Sequence, residues 1–155
     1  MELPSLPPDL SFPRLGNNAD DINFAFQAKR SALGPHIAAR WGWDEALQRR
    51  VHEERYAAKP FFAIQHIGQR IGTISIEILP THMRLGEFYL LPMFQGKGRG
   101  GSILQHFIGL AEVRNIPIRL KYLYWNPVGR LYRRFGFVEL TRSEAHCFME
   151  RPPAS

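Results

Sequence analysis

A strand that runs directly into a glycine-rich turn constrains the fold of this chain more than any other feature. Residues 84–91 read RLGEFYLL, a strand pattern, and Pro92 ends it because proline cannot donate a hydrogen bond to a neighbouring strand. The next stretch, FQGKGRGGSIL at 94–104, holds four glycines within six positions. Glycines let the backbone bring its N–H groups close to an anion, so the turn predicts a phosphate-binding site.

The helix that follows the glycines is predicted to be amphipathic. Apolar residues recur at helical spacing over 101–114, and Asn115 and Pro117 end the pattern. The apolar stripe consists of Ile103, Leu104, Phe107, Ile108 and Ala111. The beginning of a helix presents unpaired N–H groups and a positive dipole end, which suits a pyrophosphate.

The remaining segments predict a single α+β domain. Ile74, Ile76 and Ile78 alternate with polar residues, which is the period of a strand with one buried face. We expect a mostly antiparallel twisted sheet of about six or seven strands with about four helices, and one parallel crossover. The expected elements, in order, are a helix over 18–32 that Asn18 or Asp20 can cap, a helix over 44–58 that Asp44 can cap, a hairpin of 60–67 and 70–79, the strand 84–91, a helix over 101–114, a strand over 118–125, a short helix from Asn126, and the strands FVEL and AHCFME.

The two ends and the single cysteine set further expectations. Residues 1–12 are proline-rich and are expected to be flexible, with the domain over 13–151. The opening MELPSLPPDLSFP lacks a signal-peptide pattern, and no apolar run approaches the roughly 20 residues that span a bilayer. Cys147 is the only cysteine, so an intrachain disulfide is excluded. These features predict a cytoplasmic protein without a membrane partner.

The basic charge does not by itself identify a partner. Lysines and arginines number 20 against 14 acidic residues, a formal net charge of +6. Such an excess attracts nucleic acids, acidic membranes and phosphorylated cofactors alike. The basic residues are scattered without an aromatic-interleaved RNA motif, so no nucleic-acid partner is expected, and a basic nucleic-acid binder stays an alternative only. The six histidines show no metal-ligand spacing, and no metal is expected.

Two common phosphate motifs do not match the turn. Gly96, Gly98 and Gly101 satisfy G-x-G-x-x-G, but a Rossmann site needs alternating strands and helices and an acidic residue at the end of the next strand. That strand, IRLKYLYWN, ends without an acid. The G-K-S/T sequence of a P-loop is also lacking.

Two blocks of the chain together resemble the GNAT superfamily of acyl-CoA N-acyltransferases. In YLLPMFQGKGRGGSIL, Gln95, Gly98 and Gly100 occupy the fixed positions of the signature Q/R-x-x-G-x-G/A. The block YWNPVGRLYRRFGF is similar, with closer spacing, to N-x-x-A/G-x-x-x-Y-x-x-x-G-F. Its matching residues are Asn126, Gly129, Tyr132, Gly136 and Phe137. The resemblance extends from about residue 13 to residue 149 and implies the GNAT fold, whose sheet contains a splayed pair of strands.

The resemblance implies that acetyl-CoA is the cosubstrate. In the family, the matching glycine turn wraps the pyrophosphate of CoA with backbone amides. The strands matching 85–91 and 117–124 splay apart and admit the pantetheine arm. Arg99 departs from the family pattern, in which an aliphatic residue is commoner. The implied cofactor-binding residues are Leu90, Leu91, Gln95, Gly96, Lys97, Gly98, Arg99, Gly100, Gly101 and Asn126.

The resemblance also implies a catalytic acid and a catalytic base. A tyrosine at the position of Tyr132 protonates the departing thiolate, although a tyrosine on a helix is also a good core residue. Glu87 is the candidate base, directly or through water, and the alternative is a solvated strand carboxylate. Strand parity places Glu87 and Tyr89 on one face. The N–H of Leu90 is expected to polarise the acetyl carbonyl.

The implied reaction is transfer of an acetyl group to a small-molecule or peptide amine, by direct attack through a tetrahedral intermediate. Trp41, Trp43 and Tyr89 are candidate substrate-binding residues, although aromatic side chains usually fill a core. Cys147 is interpreted as a buried apolar group, and a ping-pong route through it is a minor alternative. A non-catalytic acyl-CoA-binding sensor on the same fold is a further alternative. Family members are often dimers, and an exposed edge at AHCFME could support a homodimer.

Overall fold

The computed structural model describes residues 2–154 and shows a mixed α+β fold. Within those residues, four α-helices accompany seven strands and a short 3₁₀ turn at Pro92–Phe94. In chain order the elements are β1 (Leu10–Ser11), α1 (Ala19–Trp41), α2 (Glu45–Ala58), β2 (Phe62–His66), β3 (Gln69–Ile78), β4 (Met83–Leu90), α3 (Arg99–Arg114), β5 (Ile118–Leu123), α4 (Gly129–Arg134), β6 (Val138–Arg142) and β7 (His146–Arg151).

The strands form one mostly antiparallel sheet in the order β1-β2-β3-β4-β5-β7-β6, which confirms the predicted fold class. The chain divides into two compact units. The first comprises the residues up to Ile76 together with Glu87–Lys97, and the second comprises Glu77–Gly86 together with the residues from Gly98 onward.

The first two helices begin at the caps that the sequence predicts. The Asn18 side chain accepts a hydrogen bond from the Asp21 N–H at 2.9 Å, and that of Asp44 accepts one from the Leu47 N–H at 3.1 Å. Helix α1 does not end near residue 32 but continues through Pro35 to Trp41. Burial of side chains beyond residue 32 outweighs the hydrogen bond that proline removes. No helix within residues 2–154 combines the length and the apolar character that a bilayer crossing requires.

Strand β3 is buried on both faces, so the prediction of one buried face is wrong. Residues 71–76 are all buried, including Thr73 and Ser75. The Thr73 hydroxyl donates to the Glu87 carbonyl oxygen at 2.9 Å, and the Ser75 hydroxyl donates to the Pro60 carbonyl oxygen at 2.6 Å. Both hydroxyl groups are therefore satisfied inside the protein, which removes most of the cost of their burial.

The segment expected to be flexible contains a short paired strand. In β1, Leu10 lies opposite His66 and Ser11 lies opposite Gln65 of β2. Leu10 and Phe12 are buried. Backbone pairing and two apolar anchors order this part of the segment, although the limits of the domain, 13–151, stay a prediction.

The second unit contains the helix after the glycines and the parallel part of the sheet. The five apolar residues of the α3 stripe are all buried, as predicted. Asn115 ends α3 in the left-handed conformation, with φ of 53°. Strands β4 and β5 pair in parallel at Met83 with Ile118 and at Arg84 with Arg119.

Strands β1 and β6 are the edges of the sheet, and most of AHCFME lies in the inner strand β7. Strand β7, which contains most of that sequence, pairs with β5 on one side and with β6 on the other. All five residues of β6 are exposed, including Val138 and Leu140. The expectation of a dimerisation edge at AHCFME is therefore wrong, because both hydrogen-bonding sides of β7 are used within the chain.

Gly72 is required by the close approach of two strands in the first unit. A Cβ atom built on Gly72 would overlap the Tyr89 carbonyl oxygen and lie 3.0 Å from the Leu90 Cα. One residue earlier, the Ile71 carbonyl oxygen accepts a hydrogen bond from the Leu91 N–H at 2.9 Å. The atoms that Gly72 faces are backbone atoms, which cannot rotate away.

Replacing Gly72 with alanine should therefore lower the free energy of unfolding by about 1–3 kcal/mol, the usual cost of overpacking. The matched control is Gly109→Ala, because a Cβ at this exposed helical position meets nothing within 4 Å. The control should raise stability by roughly 0.5–1 kcal/mol, as removing a mid-helix glycine does. Urea unfolding followed by circular dichroism measures both, and equal midpoints for Gly72→Ala and the wild type would contradict the close approach.

Candidate functional site

Glu87 lies in β4 at a backbone position that few non-glycine residues adopt. Its φ is 47°, in the left-handed region, so the regular alternation of strand faces does not hold across this residue. The Glu87 side chain is only 4% exposed. Its carboxylate lies 3.3 Å from the Lys59 ammonium and 4.0 Å from the Arg55 guanidinium. The alternative of a solvated strand carboxylate is therefore excluded.

Burial alone would raise the pKa of Glu87, but the nearby cations outweigh burial and lower it. Those cations are Lys59, Arg55 and, from α1, Lys29. The carboxylate is ionised at neutral pH and is held by charge-assisted contacts. A carboxylate with a lowered pKa binds a cation or an amine well, but it is a weak base.

Lys29 is the residue of this cluster that sequence reasoning missed. It is 2% exposed, and its pKa is lowered from 10.5 to about 8, first by burial and then by repulsion from Arg55. Neither ion pair of Glu87 involves Lys29, and Lys29 forms no ion pair within residues 2–154. The sequence gives only a weak signal for this residue, which is that Lys29 lies next to Ala28 within the predicted helix.

The end of β4 is fixed by hydrogen bonds within the first unit. The Gln95 side-chain amide donates to the Leu90 carbonyl oxygen at 2.7 Å. The Leu91 N–H donates to the Ile71 carbonyl oxygen, so this N–H is not the group that would bond a pantetheine arm. Gly96, in the following turn, has φ of 76°, which glycine adopts without strain.

The N-terminus of α3 has the features of an anion-binding site. Gly98 is its N-cap in the left-handed conformation, and no side chain caps the helix. A helix leaves the N–H groups of its first turn, here those of Gly100 and Gly101 among them, without a carbonyl partner inside the helix. A Cβ on Gly101 would lie 3.3 Å from the Phe135 ring, so the glycine lets this turn pack closely against α4's end.

Tyr132, the candidate acid, is buried on α4 in the second unit. Its ring centroid lies 5.8 Å from that of Tyr122 and 5.6 Å from that of Phe137. Burial, with a smaller contribution from Tyr122, raises the pKa of Tyr132, so it is protonated at neutral pH. The Asn126 side chain accepts a hydrogen bond from the Val128 N–H at 3.0 Å, but α4 begins at Gly129 with Val128 as its N-cap, so the prediction of a short helix that begins at Asn126 is wrong.

Tyr122 and Glu139 lie in the same unit as Tyr132 and were not singled out from the sequence. The Tyr122 hydroxyl packs directly against the backbone of Gly129, where a Cβ would overlap it. Cys147 is buried, and its thiol donates to the Glu139 carboxylate at 3.1 Å. Burial and this carboxylate raise the pKa of Cys147. The thiol is thus protonated, which disfavours the ping-pong route.

The predicted acceptor residues have separate environments. Trp43 donates from its indole N–H to the Glu45 carboxylate at 2.8 Å, and its ring lies 6.2 Å from that of Phe26. Trp41 is 58% exposed, and Tyr89 is half-buried. A depression of about 320 Å³ lies between α1 and α2 near Asn23 and Glu53, and none of the predicted site residues lines it. No group of three or more metal-ligating side chains occurs within residues 2–154.

Comparison with known proteins identifies the family. The sequence model described as "Acetyltransferase (GNAT) domain" matches residues 57–139, more than half of the chain. The chain therefore belongs to the GNAT acetyltransferase family. No curated protein sequence matches the chain.

Several solved structures share the fold of this chain. The PaiA N-acetyltransferase of Thermoplasma acidophilum, solved in complex with coenzyme A, is 19% identical with a TM-score of 0.70, over 92% of this chain and 99% of that one. A Pyrococcus horikoshii protein is 18% identical with a TM-score of 0.72, over 95% and 100%. A Streptococcus agalactiae acetyltransferase is 16% identical with a TM-score of 0.65, over 94% and 99%. At these identities the likeness shows the fold alone.

Replacing Lys29 with methionine should stabilise the protein at pH 7 by about 3 kcal/mol, since a pKa of about 8 instead of 10.5 corresponds to that difference. The whole of this gain in the free energy of unfolding should be present below pH 8. It should shrink as the pH rises toward 10.5, where the unfolded chain also releases the proton. Urea unfolding at pH 7, 9 and 10 measures this trend.

Lys121→Met, at an exposed lysine of β5, is the control and should change stability by less than about 0.5 kcal/mol. If Lys29→Met lowered the stability at pH 7, the buried ammonium would have an ionic partner, and the account of this cluster would be wrong.

Proposed function

We propose that this protein is an acetyl-CoA-dependent N-acetyltransferase that moves an acetyl group to a primary amine by direct attack. Family membership is the observation that carries the proposal. The uncapped N-terminus of α3, opened by a left-handed glycine, supports it further, because such a terminus suits the pyrophosphate of CoA.

The residues present fit the cosubstrate at several positions. The amides of Arg99, Gly100 and Gly101 would hold the pyrophosphate, and Lys97 would add charge at the turn. Within residues 2–154, strand β4 pairs with β5 at Met83 and Arg84 alone, which supports the idea that the later part of β4 bonds the pantetheine arm. Within β4, the Leu90 N–H remains the proposed donor to the thioester carbonyl.

The proposed chemistry depends more on positioning than on strong acid–base catalysis. The amine attacks the thioester carbon, its proton passes to Glu87 or to water, and Tyr132 donates a hydrogen bond and then a proton to the departing sulfur. The raised pKa of Tyr132 and the lowered pKa of Glu87 both lie far from neutrality, which makes each a weak catalyst for its step. Binding energy from the rest of CoA would align the thioester and supply most of the acceleration.

A second candidate function follows from the same two pKa shifts. A buried tyrosine that holds its proton tightly and a carboxylate fixed in ion pairs also suit a protein that binds acyl-CoA without turning it over. Such a sensor would keep the CoA site and need no acceptor.

The two functions are separated by measuring release of free CoA from acetyl-CoA in the presence of a panel of primary amines. The proposed enzyme should release CoA with at least one amine, whereas the sensor should bind acetyl-CoA and release none. A protein that neither binds acetyl-CoA nor releases CoA would contradict both candidates.

Tyr132→Phe should lower kcat by about 10²-fold or more while leaving the KM for acetyl-CoA nearly unchanged, because it removes only the proton donor. Tyr124→Phe is the matched control in the same unit and should retain kcat. Equal turnover for Tyr132→Phe and the wild type would assign Tyr132 to the core alone.

A further inference from the structure

The cluster around Glu87 contains more positive than negative charges, and the excess positive charge lies on the buried Lys29. Arg55 and Lys59 both reach the single carboxylate, whereas Lys29 interacts with Glu87 only at longer range. Burying an ammonium group without an anionic partner costs free energy. A chain that keeps this lysine therefore gives up stability, as sites that bind ligands commonly do.

The cluster is open on the side of the other two cations. The side chains of Arg55 and Lys59 are 35% and 22% exposed, against 4% for Glu87. An anion that enters from solvent meets these cations before it meets the carboxylate. The Arg55 contact with Glu87 is long, at 4.0 Å, so this guanidinium can turn toward a second anion at small cost.

The single unpaired charge selects the kind of anion. Among the described residues 2–154, Lys29 has no ion-pair partner, and Glu87 already brings one negative charge into the same space. A carboxylate adds one further charge and accepts hydrogen bonds from both ammonium and guanidinium groups. A phosphate dianion would be repelled more strongly by Glu87.

We propose that Lys29, with Arg55 and Lys59, forms a carboxylate-binding site, and that the acetyl acceptor is a small amino acid. Its carboxylate would be held by Lys29 and its amine would lie toward Glu87. The identity of the acceptor rests on the proposed function, whereas the carboxylate site does not. Polyamines and aminoglycosides, which carry only positive charges, are poor ligands for a cluster with three cations and one carboxylate.

The carboxylate site is tested by titration calorimetry with glycine, β-alanine and 4-aminobutyrate. Each is compared with the alkylamine in which a methyl group replaces the carboxylate. The titrations use the full chain at pH 8, with and without saturating free CoA, in buffers of different ionisation enthalpy. At least one amino acid should bind about tenfold more tightly than its alkylamine, as expected for a charge-assisted contact.

Proton uptake gives a signature that a nonspecific ion effect lacks. Because the pKa of Lys29 is about 8, the group is only partly protonated at pH 8, and a bound carboxylate should draw in a fraction of a proton. The other titratable group close by is His52, whose pKa burial lowers below 6.5, so it stays neutral.

Lys29→Met should weaken binding of the preferred amino acid by tenfold or more and abolish the proton uptake. Lys121→Met should retain both. Unchanged binding in Lys29→Met, or amino acids that bind no better than their alkylamines, would overturn the proposal.

An acetyl-transfer assay with the same compounds separates this proposal from the proposed function. Transfer to alkylamines without preference for amino acids would overturn the acceptor class and leave the acetyltransferase intact. Lys29-dependent carboxylate binding without transfer to any amine would support the site and contradict the enzyme. Transfer to an amino acid that falls in Lys29→Met through a higher KM, with kcat retained, would support both.

Discussion

The buried carboxylate of Glu87 is the interaction on which the first unit depends. Three elements interact with Glu87: α1 through Lys29, α2 through Arg55 and its capping residue Lys59, and β3 through Thr73, which donates to the Glu87 carbonyl oxygen. The residue itself adopts the left-handed conformation within a strand. Such strain costs of order 1–3 kcal/mol and persists only when the surroundings enforce it.

Buried ion pairs are poor sources of stability, because the cost of removing charges from water offsets their attraction. A cluster with three cations and one carboxylate is less favourable still. A core of the same shape built from apolar residues would be at least as stable. Function is therefore the better explanation for the charges, which agrees with the general observation that perturbed ionisable groups gather at functional sites.

Besides the Glu87 cluster, the fold depends on close approach of the backbone, and glycines make that approach possible. Gly72 lets β3 contact the backbone at Tyr89, and Gly129 lets the hydroxyl of Tyr122 reach the start of α4. Gly96 and Gly98 serve differently, because space is open around them and both have φ of 76°. The second pair is recognisable from the local sequence as part of a turn signature, and Gly129 as part of the second motif block, whereas Gly72 belongs to no motif. The first pair is fixed by residues 17 and 7 positions away.

Features set by local sequence were predictable, and those set by tertiary contacts were not. The caps Asn18 and Asp44, the apolar stripe of α3 and the fold class follow from short-range patterns and were confirmed. The burial of Ser75 and Lys29, and the inner position of β7, depend on which distant segments cover a face or an edge. The conformation of Glu87 could not be predicted, because glutamate has no preference for positive φ. For the proposed cofactor-binding residues, the sequence motif predicts the residue types but not the groups to which they form hydrogen bonds. The Leu91 N–H, for example, donates to the Ile71 carbonyl oxygen within the protein.

Thermal unfolding with acetyl-CoA, free CoA and NAD, each at saturating concentration, tests the central claim most directly. A ligand at 100 times its dissociation constant stabilises the folded state by about 2.7 kcal/mol, which raises the midpoint of a chain of 155 residues by roughly 5–10 °C. The account predicts such a shift with both CoA compounds and none with NAD. A shift with NAD alone, or with none of the three, would contradict it.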